Sequence, residues 1–248
     1  MSVDHTLEKA STHHLGARTR YLWIEVGVVV LVWVVPFIFN SEADIYGLRG
    51  RTTPVPFTYR ALQSLINSIS EIALVLFILW RSGDIPARFG LKPFRLGRDL
   101  IGGLIILVIL RGMHHFYWWI LHSYLTPDHY MLMTHTGTGM ANRSPSGSRD
   151  FALLITMCLA SGYVQELVMR AYLITRFEEL LESTGLAILL STVLFVFYHG
   201  YQGYGPVIEV AIFGLIQAVI FCAFRRLTPI ALAHALNNII AIGEFTWL

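Results

Sequence analysis

The chain has 248 residues, 55% of them hydrophobic and only 14% charged, with a net charge of +2 and a mean hydropathy of +0.59. A water-soluble domain carries about 25% charged residues, so the composition excludes an ordinary soluble domain and indicates a polytopic membrane protein. So small a net charge gives no reason to expect nucleic acid as a partner.

Crossing the hydrocarbon core as a helix takes about 20 apolar residues. Seven stretches read as candidates: residues 21–39, 62–80, 100–124, 151–175, 185–203, 206–224 and 228–246. The expectation is an all-α polytopic bundle of about seven spans. A polar cytoplasmic tail, 1–20, precedes a single membrane domain, 21–248. No cleavage-site pattern follows the first apolar run, so it reads as a span and not as a signal peptide. Segment 82–98 mixes basic and apolar residues and is an eighth candidate element, lying in the interface where Arg and Lys meet anionic headgroups. Residues 125–150 form the longest polar connection. Thr136-Gly-Thr-Gly139 and Ser144-Pro-Ser-Gly147 mark it as a loop, and it carries a sequon, Asn142-Arg-Ser144. Asp150, just before the next apolar run, reads as a helix N-cap. Cys158 and Cys222 fall in spans and read as small buried residues. Basic residues such as Arg18, Arg81, Arg88, Arg95, Arg176 and Arg225 outnumber those on the opposite side. By the positive-inside rule this puts the N-terminus in the cytoplasm, with a bacterial inner membrane the expected location.

Polar side chains stand in three of the apolar runs of the second half. Each costs several kcal/mol there unless it has a partner or faces a wet cavity. In Gln165-Glu166-Leu-Val-Met-Arg170, the glutamate and arginine share a helical face and can pair. Gln165 points about 140° away from Arg170 at the ordinary pitch. His199 closes Phe195-Val-Phe-Tyr-His199 and is followed by Gly200-Tyr-Gln-Gly203-Tyr-Gly205, where three glycines break the helix. That break suits a site wall or an ordinary hairpin turn. His234 and Asn238 stand one turn apart on a common face. The amide can fix the ring, hold a water or donate to an oxyanion, or the pair can simply bond between helices. Together the three stretches would make a hydrolytic site enclosed by lipid-facing helices. Counting about 1.5 Å per residue, His199 lies roughly a dozen Å deeper than His234, so bringing them together needs tilt, a break at the glycines or different boundaries. The remaining in-span charges read as structural: Glu71 or Glu209 would pair with Arg111. Adjacent His114 and His115 make no metal site, and Tyr117, Trp118 and Trp119 read as packing and interface anchors.

In this order the motifs resemble the CAAX protease and bacteriocin-processing (CPBP, or Abi) family of membrane endopeptidases, which includes the type II CAAX prenyl endopeptidase. The resemblance covers about residues 150–242, the expected catalytic core. The family pattern is Glu-Glu-x-x-x-Arg, and Gln165 replaces the first glutamate, the one the resemblance implies is catalytic. It further implies peptide-bond hydrolysis inside the membrane, on a membrane-associated peptide or protein substrate, with lipid around the bundle. The candidate catalytic residues are then Gln165, Glu166, Arg170, His199, His234 and Asn238. Glu166 would activate water, although a neighbouring arginine stabilises its charged form and weakens it as a base. Arg170 would hold it, and Asn238 would polarise. The two histidines would be base partners, oxyanion donors or metal ligands. Glu166, His199 and His234 are a set that can hold a divalent metal such as zinc with an open position; the same residues can also work without one. The amide at 165 motivates an alternative, a catalytically inactive member serving as membrane scaffold or bacteriocin-immunity protein. An ion-relay transporter is a third class, disfavoured because no inverted repeat is visible.

Overall fold

The computed structural model describes residues 18–36, 56–126, 129, 145, 147–202 and 204–247. The polar tail through residue 17, the Asn142 sequon and most of the 125–150 connection lie outside the described residues.

Seven helices make up the described chain: α1 (18–36), α2 (Phe57–Ser82), α3 (Leu96–Tyr124), α4 (Ser148–Leu181), α5 (Thr184–Tyr198), α6 (Tyr204–Phe224) and α7 (Leu227–Trp247). No strand occurs among these residues. Three helices are apolar and long enough to cross a bilayer on those grounds alone: Phe57–Ser82, Ser148–Leu181 and Gly205–Phe224. Thr184–Tyr198 and Leu227–Gly243 are apolar but shorter. The fold is a membrane helix bundle, as the composition requires.

Local chemistry sets the ends. Gly83, at φ +69°, closes α2 in the left-handed region, its N–H reaching Leu79 and Trp80 carbonyls. Ser183 caps α5 by accepting from the Leu186 N–H. α4 begins at Ser148, three residues ahead of the expected start. Asp150 is therefore not the N-cap but lies in the first turn, where its charge suits the helix dipole and its Oδ1 accepts from Thr58 Oγ1 at 3.2 Å. Segment 82–98 is no long interfacial helix. It holds a short 3-10 turn, Pro86–Phe89, before α3 starts at Leu96. Phe89 is fully buried and stacks with Tyr172 of α4.

α4 is the bundle's axis. Its middle, Leu167–Ile174, is a π-helix in which every residue is buried. α2 and α7 pack on its first half, while α5 packs on the π segment and on the last turns. α7 is also held by α3, and α5 lies along α6. Small residues permit these close approaches, as membrane packing favours. A Cβ at Gly103 of α3 would stand 2.9 Å from Leu232 Cδ2 of α7.

One end of the bundle is a belt of ion pairs. Buried Arg176 meets Glu25 at 2.8 Å, Asp84 at 2.7 Å and Glu179 at 3.3 Å. Arg225 pairs with Glu178. Arg226, on the turn between α6 and α7, pairs with Asp99 at the start of α3 and donates to the Pro93 carbonyl at 2.7 Å. The hydrogen bond from Arg226 holds the Asp99 carboxyl below the usual carboxylate range, against burial that works to raise it. A depressed value means stability that is complete above the unfolded carboxylate's pKa and is lost as pH falls through the folded one. Thermal unfolding in detergent between about pH 6 and about pH 3 is expected to show a falling midpoint. Arg226→Met should lower the midpoint at neutral pH and flatten that dependence. An unchanged slope in the variant would remove Asp99 as its source.

Candidate active site

The site grows from the buried face of α4. Gln165 and Glu166 end its first α-helical stretch, and the π segment starts at the next residue. A π turn closes one residue later than an α turn, and such insertions gather at functional sites. It widens the helix where Arg170 must reach back to Glu166. Arg170 Nε stands 3.3 Å from Glu166 Oε2, both side chains at 0% exposure. The contact is an ion pair without the angle of a hydrogen bond, since neither atom has a hydrogen-bond partner. The guanidinium is held by two further contacts. Nη2 donates to the Gly214 carbonyl of α6 at 3.2 Å, and the group lies 4.1 Å above the Phe195 ring of α5. Gly214 must be small, because a Cβ there would stand 2.9 Å from Phe195 Cδ1 and 3.3 Å from Arg170 Nη2.

Glu166 turns its other oxygen to α7. His234 Nδ1 is 2.6 Å from Oε1, with the imidazole 4% exposed. A carboxylate can only accept, so Nδ1 carries the proton and the lone pair of the neutral ring lies on Nε2. α7 can come this close because the neighbouring contact is backbone on backbone. A Cβ at Gly162 would stand 2.7 Å from the Ala235 nitrogen.

His199 caps the C-terminus of α5, where the helix breaks into a 3-10 turn, Gly200–Gln202. Its Nδ1 donates to the Phe195 carbonyl at 2.9 Å, which again leaves the Nε2 lone pair. The depth mismatch between the histidines is met by this break and by Phe195. Its ring centroid is 4.4 Å from that of His199 and 6.0 Å from that of His234, the latter edge-on. One phenyl ring thus touches both imidazoles and the guanidinium. Phe213 of α6 covers His234 from another side at 4.9 Å.

The structure therefore brings Glu166, Arg170, His199 and His234 around Phe195. Gln165 is buried beside them with its Oε1 unbonded. Asn238 lies one turn along α7 from His234 and is half-buried. Glu209 does not await Arg111: its two oxygens take His114 Nδ1 at 2.6 Å and Trp118 Nε1 at 2.8 Å. Phe195, Phe213, Gly162 and Gly214 were not singled out by polarity, because they act by shape. The small residues in apolar runs were the only signal.

The enclosing segment also matches known proteins. Residues 147–240 match the family model described as type II CAAX prenyl endopeptidase Rce1-like. This segment is similar to the CAAX protease family and is called Rce1-like below. No curated protein and no solved structure matches the chain. The Rce1-like segment contains α4 to α6 and α7 through residue 240, hence all six candidate residues. The apolar helices mark the chain as an integral membrane protein, and the likeness to CAAX-type endopeptidases is carried by residues 147–240.

Glu166 would have to leave its partners to take part in a metal site. Zinc needs lone pairs converging on one point, whereas Glu166 is committed to His234 and Arg170. Among the described residues no three His, Cys, Asp or Glu side chains are grouped as a metal site.

Removing one partner of a buried ion pair costs about 3–5 kcal/mol, since the other charge stays buried alone. Arg170→Met is therefore expected to unfold or sharply destabilise the protein in detergent, and pairing it with Glu166→Gln should recover much of the loss. No recovery in thermal unfolding of the double variant would deny the coupling. Gly162→Leu should cost about 1–3 kcal/mol or more by overpacking. It should also spread α4 from α7, readable as a changed cross-linking rate between cysteines placed on the two helices.

Proposed function

We propose that the Rce1-like segment hydrolyses a peptide bond of a membrane-associated substrate, with His234 as the base and Glu166 as its orienting partner. The observation that carries this reading is the 2.6 Å contact of His234 Nδ1 with a fully buried carboxylate. A carboxylate on Nδ1 fixes the ring tautomer, aims Nε2 outward and stabilises the imidazolium that forms when Nε2 takes a proton. Glu166 is poorly placed to take that proton itself, because His234 Nδ1–H engages one of its oxygens and Arg170 lies against the other. Water gives a proton to His234 Nε2, and the hydroxide oxygen bonds to the carbonyl carbon of the substrate. The tetrahedral oxyanion is met by the Asn238 amide N–H, a neutral donor suited to developing charge. Collapse breaks the C–N bond, and His234 returns its proton to the departing amine. Gln165 cannot take a proton, yet its buried Oε1 can accept from the attacking water and aim it. His199, with Nδ1 spent on Phe195, presents Nε2 as an acceptor and holds the water from the other side. Arg170 locks Glu166 in place. The helices before residue 147 serve as scaffold for this core, and the substrate class follows the family: a lipid-anchored or membrane-embedded peptide.

The test uses purified protein in liposomes with a fluorogenic reporter, a prenylated peptide ending in a CAAX sequence. His234→Ala is expected to lower turnover by about 10²–10⁴-fold in protein that still folds, and Glu166→Gln to do the same per folded molecule, its activity normalised to the folded fraction because Arg170 loses its partner. Gln165→Glu adds a carboxylate where the family has one and is expected to raise turnover. Full activity in Glu166→Gln would sink the assignment. Folded protein that is inactive both as wild type and as Gln165→Glu would favour the non-catalytic scaffold reading, which the amide at 165 motivates. Activity abolished by a chelator and restored by zinc would mean Glu166 leaves both partners to bind metal, and would replace the metal-free reading.

A further inference from the structure

His199 stands in the weakest stretch of the site. It caps α5, and the chain then runs through a three-residue 3-10 turn into α6, past glycines that give the backbone freedom. On the α5 side the end is fixed: Tyr198 stacks on Trp33 of α1 at 4.7 Å, and the His199 ring is bonded to the Phe195 carbonyl. On the α6 side the first turns are held by α3. Three α3 residues at positions 114, 117 and 118 share one helical face and reach across. Tyr117 donates its hydroxyl to the Gly205 carbonyl at 2.8 Å, in a buried contact. One turn further along α6, Glu209 takes the His114 and Trp118 donors, one on each oxygen.

We propose that Glu209 is a positioning residue for the site: by tying the N-terminal turns of α6 to His114 and Trp118 of α3, it sets where the turn after α5 holds His199. Glu209 touches none of the candidate catalytic side chains in the contacts described above, so its effect passes through backbone. Its carboxylate is the centre of the clamp because it accepts from two α3 side chains at once. A water-exposed anchor would not need both oxygens satisfied by protein donors. The inference rests on the proposed role of His199, and the experiment separates the two.

Protein labelled with ¹⁵N-histidine is placed in nanodiscs, and the His199 ring resonances are identified by their loss in His199→Ala. Glu209→Ala is expected to shift or broaden the His199 signals while those of His234 stay in place. Glu209→Gln keeps an oxygen for Trp118 and offers an amide N–H to a His114 Nδ1 that now accepts, so it should restore the wild-type signals. Trp118→Phe, a milder change, should give a partial effect and serves if Glu209→Ala fails to fold. On the prenylated reporter, Glu209→Ala should lower kcat by about 10–100-fold with KM unchanged, and Glu209→Gln should recover it. His199 signals unmoved in Glu209→Ala and Trp118→Phe, or a Glu209→Gln variant as perturbed as Glu209→Ala, would overturn the proposal. Signals that move as stated in a protein that cleaves nothing would uphold the positioning and overturn the peptidase reading instead.

Discussion

A charge that cannot leave the membrane organises this bundle. Glu166 has no exposed surface, and its nearest cation, Arg170, has none either. In an apolar interior each would be prohibitive alone, and their mutual attraction offsets the cost only when further polar contacts share it. The protein supplies those contacts from three other helices: the Gly214 carbonyl of α6, the Phe195 ring of α5 and the His234 imidazole of α7. Satisfying one ion pair therefore dictates which helices surround α4 and which side chains they send inward.

The same requirement explains why apolar residues are as specific as the polar ones. Phe195 is wedged among a guanidinium and two imidazoles, so one buried ring packs against all three. Gly162 and Gly214 remove the volume that would keep α7 and α6 away. The chemistry that follows is a division of labour. In the proposed reaction Glu166, clamped on both oxygens, orients, and His234 takes the proton on Nε2. A family position normally held by a carboxylate can carry an amide here because proton transfer has another candidate within the same cluster.

Much of this was legible in the residues. Hydropathy located the helices, and the cost of polar groups in lipid identified Glu166, Arg170, His199 and His234 as a set that would meet. The i,i+4 spacing gave the Glu166–Arg170 pair directly. The sequence did not reveal the partner of His234, because residues 68 positions apart have no spacing rule. Nor did it reveal the partners of Glu209: Arg111 satisfied the charge argument, whereas the structure uses one histidine and an indole on a neighbouring face. Helix ends were misjudged where capping was ambiguous, as at Ser148, and where glycines ended α5 before the apolar run stopped. The π segment left no trace in composition, since it is a backbone state imposed by tertiary packing.

That π segment also ties together two layers of charge that share no contact. Arg170 stands in the site and Arg176 in the belt, on one helix, and the wider winding between them fixes the angle at which each leaves the axis. Were the stretch regular, the two guanidiniums would leave the axis at a different angle to each other. The winding thus acts as a phase plate: membrane depth separates the two layers, and a local change of pitch keeps both facing inward.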